Sequence, residues 1–308
     1  MWTSLLFALL LTTAFARAST YYVTVAGLGG EPDYEQRFTE VAGELDKTFK
    51  TAVGGHVYTL TGKQATKDRL TAIMVSIAKE AKPEDDLIVT LIGHGSFDGT
   101  EYKFNLPGPD VSAAELAAMC DRIAAKRQLI VDTTSASGGA IPALQRSGRA
   151  VIAATKTGTE KNATVFARYW AQALEDPSTD LDKSGSVSAM ETLRYADRKT
   201  AEFYSTQKRL ATEHAVFEDT GHGEAVKVSA AEGRQGALLQ SFTVIRIGAA
   251  QAAMNDPAKR DLILQKEGIE QKIDALKFQK AAMEPEEYKQ QLTALLVQLA
   301  KLQGELDK

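Results

Sequence analysis

A chain of 308 residues with 44% hydrophobic and 25% charged side chains has the length and apolar content for one ample core or two modest ones, which excludes a disordered tail and a small cross-linked scaffold. Its 36 Lys and Arg against 40 Asp and Glu leave a formal charge of -4, so no basic excess is available to neutralise a phosphate backbone, and no nucleic acid is expected as a partner. The single cysteine, Cys120, closes no intramolecular disulfide and builds no thiolate metal site.

In chain order, residues 1–18 read as a signal peptide: an apolar run from Leu5 to Ala16 ends in Ala16-Arg17-Ala18, a small-x-small pattern suited to cleavage. The run is too short to span a bilayer. The expectation is therefore a secreted or periplasmic protein with no stable membrane span once the leader is removed.

From Thr20 short β-branched runs alternate with longer stretches of helical period. Strands are predicted at Tyr21–Ala26, His56–Leu60, Leu87–Ile92, Leu129–Val131 and Ala150–Ala154, and helices at Tyr34–Thr51, Lys67–Ala81, Ser112–Ala124 and Gly139–Arg146. Strand-helix repeats with short connections predict an α/β fold, a mostly parallel sheet flanked by helices. Phe97–Leu106 alternates around a glycine and reads as an inserted β-hairpin. Helices follow at Thr164–Glu175 and Ser188–Ala211, and Phe242–Ile247 is a further edge-strand candidate.

The pattern then changes, dividing the chain into a domain over 19–250 and a helical hairpin over 251–308. Leu262, Ile269, Leu276 and Met283 recur every seven residues, and Tyr288, Leu292, Leu295, Leu299, Leu302 and Leu306 step by fours and threes, a coiled-coil seam. Pro285 suits a first helical turn, so two antiparallel helices fit better than one rod. The stripe over 257–306 must be covered, by its own domain or by a homo-oligomer or protein partner.

The densest chemical signal is Asp180-Leu181-Asp182-Lys183-Ser184-Gly185-Ser186-Val187-Ser188-Ala189-Met190-Glu191. Read as a twelve-residue EF-hand-type calcium loop, it places oxygen donors at Asp180, Asp182, Ser184, Ser188 and Glu191 and a backbone carbonyl at Ser186. Gly185 falls at the sharp turn and Val187 at the position that packs the loop. Thr192 follows Glu191 where an apolar residue is usual, with Leu193 next. Serines at two ligand positions lower the ligand charge and predict modest Ca2+ affinity.

A second site is suggested by Leu87 to Ile92, a buried-strand run that continues into Gly93-His94-Gly95. The carboxyl ends of strands in open parallel sheets line the ligand crevice, which puts His94 where a base would act and offers the Gly95 N–H to an oxyanion. The next strand ends in Asp132-Thr133-Thr134-Ser135-Ala136-Ser137-Gly138, a hydroxyl-rich turn. This order of parts resembles the legumain and caspase superfamily of cysteine peptidases, with a caspase-haemoglobinase-like fold, over roughly Tyr21 to Gly223. There a strand ending in His-Gly supplies the base, and the next ends in an acidic residue, a small residue and the nucleophilic Cys, then Ser-Gly. The stretch Glu213 to Phe217 with Asp219 is similar to that family's late loop.

The decisive residue differs. Counting from Asp132 puts the nucleophile position at Thr134, and counting back from Ser137-Gly138 puts it at Ser135. Cys120 cannot substitute, because it sits in the preceding helix beside Leu116, Met119 and Ile123, where a small buried hydrophobe is expected. A hydroxyl needs an aligned base to attack, and Asp98 is the acidic residue near His94 that could orient one. Capping of the following helix is the alternative role for Thr134 and Ser135. Two functions follow. One is an exported calcium-binding protein with a catalytically degenerate peptidase-like domain that binds peptides or proteins. The other is an active peptidase or hydrolase with a Thr134 or Ser135 nucleophile and His94 as base.

Overall fold

The computed structural model describes residues 18–231 and 234–307; the predicted leader, up to Arg17, lies outside the described residues. β1 (Thr20–Ala26), α1 (Pro32–Phe49), β2 (Gly55–Leu60), α2 (Lys67–Glu80) and β3 (Asp86–Ile92) open the fold. A small antiparallel sheet of β4 (Gly95–Phe97), β5 (Tyr102–Phe104) and β6 (Val111–Ser112) follows, then α3 (Ala113–Asp121), β7 (Arg127–Asp132), α4 (Ile141–Leu144), β8 (Arg149–Ala153) and α5 (Phe166–Glu175). β9 (Ser186–Ser188), α6 (Ala189–Thr206), β10 (Val216–Glu218), α7 (Ala237–Ser241), β11 (Thr243–Arg246), α8 (Gly248–Met254), α9 (Pro257–Gln279) and α10 (Pro285–Leu306) complete it.

The main sheet has the order β10-β8-β7-β3-β1-β2. Its strands run parallel except β10, which pairs antiparallel to β8 through Phe217 and Ile152. This is the mostly parallel, helix-flanked sheet that the alternating pattern predicts. Alternate residues of each strand feed opposite faces: Val23, Val25, Val89 and Leu91 pack with Leu70, Met74 and Leu116, while Tyr22, Ile88, Ile92 and Val131 pack with Leu45, Phe49, Phe166 and Trp170. Burial on both faces is why these strands read as continuous apolar runs.

Local signals set several helix starts. Thr66 accepts from the Arg69 N–H at the head of α2, and Ser112 with Glu115 forms a capping box on α3. Pro32, Pro257 and Pro285 occupy first turns, where a missing N–H costs nothing.

Three expectations are corrected. The strand at Thr243–Arg246 does not join the main sheet; it pairs with β9 in a ribbon of two strands, and the main sheet's edge is Val216–Glu218. The helix expected to reach Ala211 ends at Thr206, with Lys208 at φ 52 turning the chain away. The helix expected over Gly139–Arg146 is a 3-10 turn at Ser137–Ala140 followed by one short α-turn at Ile141–Leu144.

The C-terminal hairpin forms as two helices. α9 carries the buried face, with Ile263, Ile269, Ile273 and Leu276 enclosed, while α10 buries no residue fully. Tyr288, Leu292, Leu295, Leu299, Leu302 and Leu306 are each half-buried along one side of α10. Among the described residues no helix is long and apolar enough to cross a membrane.

Candidate functional site

Parallel pairing of β3 and β7 brings the two predicted turns together, because Leu91 lies opposite Asp132. His94 follows β3 and is half-buried, its ring meeting Tyr34 (4.8 Å, 75°) and Phe38 (5.2 Å, 73°) edge-on. Burial lowers its pKa below the usual imidazole value, opposed by a backbone hydrogen bond with Gly29 and by the Glu31 charge. The ring is therefore neutral at neutral pH.

The hydroxyls point elsewhere. Thr134, fully buried, has its Oγ1 at 2.6 Å from the Tyr102 phenol, 2.7 Å from Asp132 Oδ1 and 3.0 Å from the Ser135 carbonyl. Ser135 is 2% exposed; its Oγ donates to the Gly95 carbonyl (3.0 Å) and accepts from the Gly95 N–H (3.1 Å). One serine thus consumes both the proton that His94 would remove and the backbone donor that would face an oxyanion. The turn packs so closely that a Cβ on Gly95 would collide with the Ser135 carbonyl, Tyr102 and Thr134; only glycine fits there.

The capping alternative also fails for these two residues. The N-cap of the following 3-10 turn is Ala136, in the left-handed region at φ 58, with no side-chain cap. Asp98 does not orient His94, since its carboxylate accepts the Thr100 and Glu101 N–H groups on the exposed hairpin turn. Cys120 is wholly buried in α3, where burial pushes its thiol up to about 11, so it is inert as a nucleophile.

Asp132 anchors the turn from beneath. It is fully buried, and burial raises its carboxyl to about 6 against the opposing hydroxyls of Thr134 and Tyr102. The late-loop residues are structural: the Glu213 carboxylate accepts from the N–H groups of Val165 and Phe166 at the head of α5, and Asp219 accepts from Gly236, Leu238 and Leu239 at the head of α7. His214 Nδ1 lies 2.6 Å from Glu160. Tyr34, Phe38 and Tyr102, which enclose the crevice, carry no local sequence signal; two arrive with α1 and one with the inserted hairpin.

The second site is the loop from Asp180 to Glu191. Lys183 (φ 61) and Gly185 (φ 83) both adopt left-handed backbone, and the turn at Gly185 is one a residue with a Cβ adopts only under strain. Asp180 accepts from the N–H groups of Ser184 and Gly185, and Asp182 from that of Ser184. Ser184 Oγ donates to the Ser186 carbonyl. Glu191 reaches back across the loop: Oε1 accepts from the Leu181 N–H and Oε2 from the N–H and hydroxyl of Ser188, while Ser188 Oγ caps the Glu191 N–H. Carboxylate oxygens of Asp180, Asp182 and Glu191 lie within 4.8 Å of one another.

This donor set fits a hard divalent cation: three carboxylates, in a loop whose Ser184 hydroxyl and Ser186 carbonyl bond one another, all oxygen. Ser188 is spent on the capping box and stands behind Glu191. The Thr192 departure is accommodated, since Thr192 is buried and donates to the Ser188 carbonyl at 2.8 Å, and Leu193 fills the core. Pairing of Ser186–Ser188 with Thr243–Arg246 holds the loop's second half rigid, a partnership sequence spacing does not reveal.

No protein-family model and no curated protein matches the chain. The fold is similar to that of the Drosophila initiator caspase Dronc, at 11% identity and a TM-score of 0.45 over 68% of this chain and 82% of that one. It is also similar to caspase-1 from Spodoptera frugiperda (13%, 0.46, over 69% and 89%) and to protein GSU0716 from Geobacter sulfurreducens (12%, 0.44, over 69% and 98%). At such identity the likeness is one of fold and assigns no residue a role.

Proposed function

We propose that this chain is an exported calcium-binding protein whose peptidase-like domain is catalytically silent and serves to bind peptide or protein. The observation that carries the calcium reading is the convergence of Asp180, Asp182 and Glu191, whose oxygens stand within 4.8 Å of one another. Three like charges so close repel strongly, and a dication supplies the missing positive charge. Asp180, Asp182, the Ser184 hydroxyl, the Ser186 carbonyl and Glu191 would hold it. With serines at two positions, affinity falls in the weak range, on the order of 0.1–1 mM.

Silence of the crevice is supported by the bonding of its hydroxyls. Acyl transfer needs a nucleophile whose proton faces the base. His94 is neutral and so competent to accept a proton, but the Ser135 proton is committed to the Gly95 carbonyl and Thr134 is locked against Asp132 and Tyr102.

Calcium titration by calorimetry on wild type and Glu191→Gln tests the first part. The wild type binds and gains melting temperature with calcium by mass action; the variant, lacking a bidentate charge, loses binding by roughly a hundredfold, about 2.7 kcal/mol. Equal heats from both proteins would remove the site. Incubation with a peptide library, with and without calcium, tests the second. Turnover abolished in His94→Ala and in either Thr134→Ala or Ser135→Ala would restore the enzyme.

A further inference from the structure

Two residues of the calcium loop are gripped from outside by α9. The Lys266 ammonium donates to the Ser184 carbonyl at 2.6 Å and pairs with Glu270 at 3.0 Å. Its neighbour Glu267 accepts from Ser186 Oγ at 2.7 Å and is held by Arg246 of β11 through two bonds of 2.6 Å. Both side chains are buried, Lys266 at 9% exposure and Glu267 at 8%. Charged groups are seldom enclosed unless paired. Here they form the polar centre of the contact by which the hairpin docks, flanked on the same helix by Ile263, Ile269 and Ile273.

The atoms divide in a way that matters. α9 uses the Ser184 carbonyl and the Ser186 hydroxyl, which leaves the Ser184 hydroxyl and the Ser186 carbonyl, bonded to one another, as the oxygens a cation in the loop would draw on. On that assignment the two ligands share residues but compete for no atom. Ser184 Oγ otherwise donates to the Ser186 carbonyl, a bond that lets the loop close on itself; drawing both oxygens to a cation fixes the backbone whose opposite side α9 grips.

We propose that α9 is the reader of the calcium loop: cation binding strengthens docking of the C-terminal hairpin, through Lys266 on Ser184 and Glu267 on Ser186. The coupling rests on the calcium reading of this loop. Because linkage is reciprocal, whatever factor calcium adds to α9 docking, α9 docking adds to calcium affinity.

Hydrogen exchange on the full chain, with and without 10 mM calcium, measures it, with calorimetry on the same sample. Calcium slows exchange in 257–279 by about fivefold or more, the lower end of ordinary coupling, leaves α2 (67–80) little changed, and slows neither segment in Glu191→Gln. Reciprocally, Glu267→Gln and Lys266→Met each weaken calcium binding by about fivefold or more while retaining a cooperative melt. Calcium binding with no selective slowing in 257–279, or with equal slowing in α2, overturns the coupling and leaves the site standing. No calcium heat in the wild type overturns the site and the coupling together. Should either variant fail to fold, the wild-type exchange comparison decides alone.

Discussion

The crevice at the carboxyl end of the sheet and the loop over 180–191 are both built from clustered side-chain oxygens, and they settle their polar groups in opposite ways. In the crevice each hydroxyl finds a protein partner: Thr134 has Tyr102 and Asp132, and Ser135 has both backbone groups of Gly95. In the loop three carboxylates accept backbone N–H groups yet keep their charges side by side. Hydroxyls can donate and accept, so a set of them can satisfy itself; carboxylates can only accept, and a set of them cannot. A set of hydroxyls that satisfies itself is a scaffold, whereas an acceptor-only cluster invites a cation.

The largest effect that would break this comparison concerns what supports the loop. Truncation after Asn255 removes α9, exposes the surface covered by Ile263, Ile269, Ile273 and Leu276, and leaves Arg246 without Glu267. Four such aliphatic side chains imply a loss of about 5 kcal/mol or more, read as a lower denaturant midpoint or insolubility. A truncated protein that keeps its midpoint but passes from oligomer to monomer in light scattering would instead make the hairpin an assembly element and detach it from the loop.

The next effect lies beneath the crevice. With a carboxyl raised by burial to about 6 from an ordinary 3.8, Asp132 favours folding when protonated. Its contribution is full below about pH 4 and is lost as pH rises through 6. Asp132→Asn keeps an acceptor for Thr134 without the buried charge, so its advantage over wild type grows from near zero at pH 4 to about 2 kcal/mol at pH 7.5. Melting curves at both pH values check the sign; a variant less stable at pH 7.5 would mean that the charge itself holds the turn.

The smallest effect sharpens the contrast. Ser135→Ala removes a hydroxyl that bonds only Gly95, with an expected cost of about 1 kcal/mol and no change in peptide turnover from background. A cost near zero would mean that the Gly95 groups find water, and therefore that the crevice is more open than its packing implies.

Much of the fold was legible because its signals are local. Continuous apolar runs announced β1, β3, β7 and β8, and a first-turn proline marked the start of α10. The convergence of Asp180, Asp182 and Glu191 was legible for the same reason: the three lie within twelve residues. Val216–Glu218 went unread as a strand because three residues, however buried, carry no usable period. Thr243–Arg246 was readable as a strand but not as the partner of the loop.

Sequence by itself determined the alternation that builds the sheet, the hydroxyl-rich turn after β7 with no cysteine in it, and the twelve-residue pattern of oxygen donors. Tertiary structure alone decided where hydroxyl protons point and what holds the loop. Whether Ser135 faces His94 or the Gly95 backbone depends on the packing of Tyr102 and on a glycine with no room for a Cβ. Whether Lys266 and Glu267 are solvated charges or buried grips depends on a docking contact more than eighty residues downstream of the loop's serines. Hydrogen-bond direction and burial are properties of neighbours, and neighbours distant in sequence leave no mark on local spacing.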